Sequence, residues 1–178
     1  MMKLAIVSIV SILATSAGIA RADDPPESSA GGARLGISAG GMYLNANGSE
    51  TGYGANAWIG YEIDRGSLAY TPMLDVGYAY FSSTDNSPSA NLIYVIPTLQ
   101  IALHEGPWIP ALEVGVGYGH VSSGPDFSDE YLALSVGAEL EYQFTPRLAI
   151  GVVAHYKPFL ELALNTFVDF GLNATIAL

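Results

Sequence analysis

From residue 34 onward, apolar and polar residues alternate with a period of two, the signature of strands that bury or expose one face. The pattern is clearest over 68–80. Leu68, Tyr70, Pro72, Leu74, Val76, Tyr78 and Tyr80 share one face, while Ala69, Thr71, Met73, Asp75, Gly77 and Ala79 share the other. Segments 91–103, 108–120, 131–144 and 166–178 repeat it, and 34–44, 55–64 and 147–157 carry weaker versions. The spacing predicts eight strands. Short connections fall near 64–67, 104–107 and 145–146, and longer polar ones near 45–54, 82–89, 121–130 and 158–165. Short turns at one end and longer loops at the other are the layout of a transmembrane β-barrel. An even strand count lets the first and last strands meet, which hides both edges.

A soluble sandwich or carrier barrel would also alternate, but three features oppose it. The predicted strands exceed the usual soluble length of about 5–6 residues and match the ~9–11 needed to cross hydrocarbon at a tilt. The face opposite the large apolar residues carries Gly, Ala, Ser, Thr and carboxylates, too small and too polar for a soluble core. Aromatics on the apolar face gather near strand ends: Tyr70, Trp108, Tyr142 and Phe144 by the short turns, Tyr78, Tyr80, Tyr118, Tyr156 and Phe170 towards the longer loops. Two such belts are what a barrel places at the two membrane–water interfaces.

The first residues read as an export signal. Met1, Met2 and Lys3 give a cationic start, an apolar run follows from Leu4 to Leu13, and Ala20-Arg21-Ala22 supplies a small-x-small cleavage pattern. The run is too short for a membrane anchor and lacks a basic stop-transfer flank. The expected organisation is therefore a signal peptide at 1–22, a disordered leader at 23–33 rich in Pro, Ser and Gly, and a barrel at 34–178.

Composition then removes several function classes. The chain of 178 residues has no Cys, so disulfide frameworks, thiolate metal sites and thiol nucleophiles are excluded. With 6 Lys and Arg against 17 Asp and Glu, it cannot build the basic face that nucleic acid requires. No motif calls for a cofactor, and no spacing of His and carboxylates calls for a metal. The loop acids Glu50, Asp85, Asp126, Asp129 and Glu130 have no EF-hand spacing and read as solvated charge.

The inward parity collects charge. Glu62, Asp64, Asp75, Glu113, Glu139, Glu141 and Asp169 are expected to face the lumen, answered by Arg34, Arg147, His155 and Lys157. One reading is a set of ion pairs that fills and rigidifies an eight-stranded interior. The other is a narrow cation-selective pore, in which small inward residues such as Gly36, Ser38, Gly40, Gly77, Gly115, Gly117 and Gly137 leave a thread of water. Trp58, Met73, Tyr94, Tyr131 and Phe167 would obstruct that thread.

With its signal peptide and hairpin layout, the chain resembles the OmpA/OmpX-like eight-stranded outer-membrane barrels of Gram-negative bacteria. Further resemblance lies in the segment 107–118 (Pro-Trp-Ile-Pro-Ala-Leu-Glu-Val-Gly-Val-Gly-Tyr), the turn 144–151 (Phe-Thr-Pro-Arg-Leu-Ala-Ile-Gly) and the alternating last strand. The resemblance implies an all-β, antiparallel up-and-down barrel in the cell outer membrane, exported through the inner membrane and cleaved near Ala22. It also implies contact with the lipid bilayer and lipopolysaccharide, a terminal strand read by the barrel assembly machinery, and a monomer. Leu178 stands where such proteins usually carry Phe or Trp, and no peptidoglycan-binding domain is expected after the barrel. Some small outer-membrane barrels modify lipid A with a Ser/His/acid group near the outer rim. Here His120-Val-Ser122 with Glu130 is the local candidate, and a His beside a Ser arises readily by chance. The expectation is therefore a non-catalytic structural or surface-interaction barrel, with a narrow passive channel for small cations or solutes as the alternative and a lipid A-modifying enzyme third.

Overall fold

The computed structural model describes residues 31–46, 48–82, 89–123, 127–160 and 166–178. The expected signal peptide, most of the expected leader, and the loop acids Asp85 and Asp126 lie outside them. Strands β1 (Ala33–Ala46), β2 (Gly48–Tyr61), β3 (Ile63–Asp64), β4 (Leu68–Phe81), β5 (Ala90–Leu103), β6 (Trp108–Ser123), β7 (Phe127–Thr145), β8 (Leu148–Pro158) and β9 (Thr166–Ala177) form one antiparallel sheet. β3 continues β2 past a break at Glu62, so the barrel has eight staves. β1 pairs with β2 on one side and with β9 on the other, Arg34 opposite Ala177 through Asn45 opposite Thr166, and the sheet closes on itself. Closure removes the open sheet edges whose unpaired backbone groups hydrocarbon does not tolerate.

Side chains alternate as the period-two pattern dictates. β4 runs exposed, buried, exposed, buried along nearly its whole length, and β5 and β6 do the same. The exposed set is apolar: Ile59, Leu74, Val76, Ile93, Val95, Leu112, Val114, Val116, Val136, Val152 and Leu172 all face outward. An apolar exterior around a partly charged interior inverts a soluble protein and suits a lipid surrounding.

The short-turn end is tightly specified. Asp64 Oδ1 accepts the Gly66 amide at 2.7 Å, and Gly66 has φ 84°, a left-handed conformation natural to glycine. Gly106, at φ 96°, does the same between β5 and β6. Between β7 and β8 the Thr145 hydroxyl accepts the amides of Arg147 and Leu148 at 3.2 and 3.0 Å, beside a register shift at Gln143/Thr145.

Several expected bounds shift. The loop expected at 45–54 is mostly strand: β1 and β2 pair as far as Ala46 opposite Gly48. Here the period is carried by Gly52, Tyr53 and Gly54 instead of aliphatic residues, which weakens it in the sequence. The loop expected at 121–130 is also mostly strand, since β6 and β7 pair through to Ser123 opposite Phe127.

Candidate functional site

The lumen is built in layers. Taking the short turns as periplasmic, its outer half is filled by Leu44, Phe81, Leu92, Tyr94, Tyr131, Phe159 and Phe167, with Met42 and Ile96 beneath them. Phe81 and Phe167 meet edge to face at 6.1 Å between centroids, Tyr94 lies 6.2 Å from Phe167, and Tyr131 and Phe159 pack at 5.2 Å. Each of these aromatics comes from an inward position at or just beyond the end of a different strand, and together they fill this part of the lumen.

Directly below the plug sits Lys157, only 1% exposed. A cation so buried needs close partners. Its Nζ donates to Asp169 Oδ2 at 2.6 Å and to the Tyr94 hydroxyl at 3.1 Å, and stands 4.2 Å from the Tyr94 ring centroid. A hydrogen-bonded chain then descends the lumen. His155 Nδ1 lies 2.7 Å from Asp169 Oδ1 and its Nε2 lies 2.8 Å from Glu113 Oε2. Gln100 Nε2 donates to Glu113 at 3.1 Å and to Glu139 at 2.6 Å. Asn173 Nδ2 donates to Glu139 and, at 2.9 Å, to Glu141, which also accepts the Thr175 hydroxyl at 2.6 Å. At the periplasmic mouth Arg34 pairs with Glu62 at 2.7 Å, and His104 approaches the same carboxylate at 3.7 Å.

The sequence-predicted lumenal residues thus mostly meet. Arg34, Glu62, Asp75, Glu113, Glu139, Glu141, His155, Lys157 and Asp169 are all buried in the interior. Arg147 is not: it lies exposed in the β7–β8 turn that Thr145 caps, one residue before β8, although its carbonyl still accepts the Ala177 amide at 2.9 Å. Asp64 is half-buried and serves its turn. Gln100, Asn173 and Thr175 complete the network; their inward parity was legible, but uncharged residues gave no reason to single them out.

The small inward residues do not leave a thread of water at three of the positions expected to do so. Trp58 lies over its register partner Gly36, Tyr94 over Gly77, and His155 over Gly137. Each glycine makes room for one large neighbour. Next to Asp75, whose Oδ1 has no hydrogen-bond partner among the described residues, the remaining gap has room for about one water.

Outside, Trp108, Tyr142 and Phe144 stack edge to face at 5.0 and 4.9 Å at the periplasmic rim, and Tyr70 is half-buried towards the same end of β4. Tyr78, Tyr118, Tyr156 and Phe170 are exposed towards the outer end, and Tyr80 packs on Tyr53 at 5.5 Å. Tyr43, Tyr53 and Tyr61 also face outward, and strand-end parity would have found them. On the β6–β7 hairpin, His120 and Glu130 stand opposite each other, as do Ser122 and Ser128. His120 Nε2 lies 3.4 Å from the Ser128 hydroxyl, not from Ser122 as the sequence motif suggested. Among the described residues no cluster of three or more His, Asp or Glu is arranged to hold a metal ion.

A closed barrel with a lipid-compatible exterior agrees with the family comparison: residues 8–172 match the outer membrane protein beta-barrel domain. The chain belongs to this family of outer-membrane β-barrels. It sits in the outer membrane, within the lipid bilayer. Solved structures with the same fold include Neisserial surface protein A (NspA), at TM-score 0.66 and 14% identity over 82% of this chain and 97% of that one. They also include Ail, the attachment invasion locus protein of Yersinia pestis, at 0.61 and 14% over 82% and 97%. A third is the outer membrane enzyme PagL, at 0.56 and 16% over 82% and 99%. No curated protein sequence matches the chain. A surface protein, an attachment protein and an enzyme on one fold mean that the role of this outer-membrane barrel must be argued from its own residues.

Proposed function

We propose that this outer-membrane barrel is a sealed, non-catalytic envelope protein whose outer end makes contacts with the surroundings. The observation that carries the reading is the apolar plug of Phe81, Leu92, Tyr94, Tyr131, Phe159 and Phe167 across the outer half of the lumen. Ions would have to pass these side chains with only the Tyr94 and Tyr131 hydroxyls to replace their water, a cost no narrow pore tolerates. Below the plug, most of the inward carboxylates are engaged by Lys157, His155, Gln100, Asn173 and Thr175, which favours the rigid-interior reading over acid-lined conduction.

The catalytic alternative receives little support. His120 of β6 and Ser128 of β7 approach at 3.4 Å across an exposed hairpin, at the long limit of a hydrogen bond. A working nucleophile needs a base held in turn by an orienting group. The outer aromatic belt suits contact with lipopolysaccharide at the interface, the alternating β9 suits recognition by the barrel assembly machinery, and a barrel without a free edge in the hydrocarbon suits a monomer.

The test is single-channel recording of the refolded protein in a planar bilayer under a salt gradient, beside attachment assays on cells expressing it. A silent bilayer, with folding verified by heat-dependent gel mobility, and attachment lost on shortening the outer loops at 82–89 and 158–165, support the reading. Discrete cation-selective steps overturn it.

A further inference from the structure

Two buried oxygens in the lumen accept no hydrogen bond among the described residues, and both residues border the same small gap. They are Asp75 Oδ1 and Asn173 Oδ1, on residues 5% and 4% exposed. The Asn173 amide cannot turn to satisfy itself. Its nitrogen already donates to Glu139 and Glu141, and those carboxylates leave the oxygen as the free end. Ser38 borders the gap too, with a hydroxyl that donates to Asn56 and keeps its own lone pairs. A buried acceptor without a partner is costly, and a carboxylate most of all.

A water donating to both oxygens would satisfy them as acceptors, but it would leave the charge untouched. Between the plug and the periplasmic mouth, Asp75, Glu113, Glu139, Glu141 and Asp169 are buried. Even with His155 counted as a cation beside Lys157, five carboxylates meet two positive charges. Those two bases spend their hydrogen bonds on Asp169, Glu113 and the Tyr94 hydroxyl, so Asp75 receives none of them. A surplus of negative charge in a low-dielectric interior calls for a cation. The gap, with room for about one water, admits a bare ion and no hydration shell. That disfavours magnesium, which keeps several waters, and calcium, which takes about six to eight oxygens. Among the described residues no three His, Asp or Glu converge as a divalent ion would want.

We propose that the gap beside Asp75 binds one dehydrated alkali cation, sodium or potassium, held by Asp75 Oδ1, Asn173 Oδ1 and the Ser38 hydroxyl oxygen. These ligands come from three strands, Asp75 from β4, Ser38 from β1 and Asn173 from β9. Ser38 stands opposite Asn173 in the ladder that closes the barrel. The ion therefore ties the closing seam to β4 through the middle of the lumen. The inference needs only the closed barrel and does not depend on what the outer end contacts.

The test is urea unfolding of the mature barrel in micelles at constant ionic strength, in sodium or potassium chloride against choline chloride, whose cation is too large for the gap. Sodium or potassium should raise the midpoint, the unfolding constant falling about tenfold for each tenfold rise in that ion once the site fills. The more effective of the two is the preferred ion. Asp75→Asn keeps the shape and removes the charge. It should unfold alike in all three salts and, in choline, be at least as stable as the parent, because the unmatched charge is gone. Ser38→Ala, a milder change, should need several-fold more of the ion for the same gain. Equal midpoints of the parent in the three salts overturn the inference. So does an alkali-ion dependence that persists in Asp75→Asn, or an unchanged dose in Ser38→Ala. A midpoint that follows pH and ignores the cation overturns it as well, protons then being what neutralises the acids.

Discussion

The Tyr94 ring occupies the space that a side chain on Gly77, its partner across β4 and β5, would fill. That same ring underlies the Lys157 ammonium at 4.2 Å, so a glycine on one strand sets the position of a cation held by another. Gly77→Val should therefore displace Tyr94, loosen Lys157 and cost about 1–3 kcal/mol as an overpacked interior, measured by urea unfolding in micelles. A variant as stable as the parent would show that Tyr94 has room elsewhere.

Lys157 is a second point of leverage. Lys157→Met removes the cation and leaves Asp169 with His155 alone, so it should cost about 3–5 kcal/mol, as when one member of a buried pair is lost. Adding Asp169→Leu should recover much of that loss, because the stranded charge goes too. A double-mutant cycle by urea midpoint reads the difference. Equal loss in the single and double variants would count against the pair as the source.

The plug makes a prediction about transport. Phe81→Ala with Phe167→Ala removes two facing rings from the outer half of the bore. In a planar bilayer, the parent should be silent and the double variant should show cation-selective steps, because the carboxylates below would then meet water. Silence in both would mean that Leu92, Tyr131 and Phe159 suffice to seal the lumen.

The two tryptophans report the two faces. Trp58 is buried in the lumen and Trp108 is 55% exposed on the outside. In vesicles of brominated lipid, Trp58→Phe protein should be strongly quenched through Trp108, and Trp108→Phe protein should retain most of its emission. Equal quenching would contradict the side-chain parity.

Much of this was legible in the sequence because a spanning strand must show lipid and lumen alternately. Wherever the outward face is aliphatic, as at Leu74, Val76, Val114 and Val116, the strands fall where the period places them. The signal fades where strands leave the hydrocarbon. Val121, Ser122 and Ser123 pair as strand and are all only partly buried, so no alternation marks them. Arg147 was assigned to the lumen by extending β8 one residue too far, across a turn that Thr145 caps. The plug was partly visible in Tyr94, Tyr131 and Phe167. Phe81 and Phe159, at strand ends, needed the fold to bring them together.

The lumenal bonds also divide the chain. Lys157, Asp169, His155, Glu113, Gln100, Glu139, Glu141, Asn173 and Thr175 all belong to β5–β9, while Arg34 with Glu62 and Ser38 with Asn56 join residues of β1 and β2 or the break just after β2. The network of β5–β9 is thus bonded within those strands, and His104 at the turn after β5 reaches across to Glu62 at 3.7 Å. The seam between β1 and β9, Arg34 opposite Ala177 through Asn45 opposite Thr166, is crossed by none of these side-chain bonds, so its backbone ladder can be zipped last without unmaking any of them.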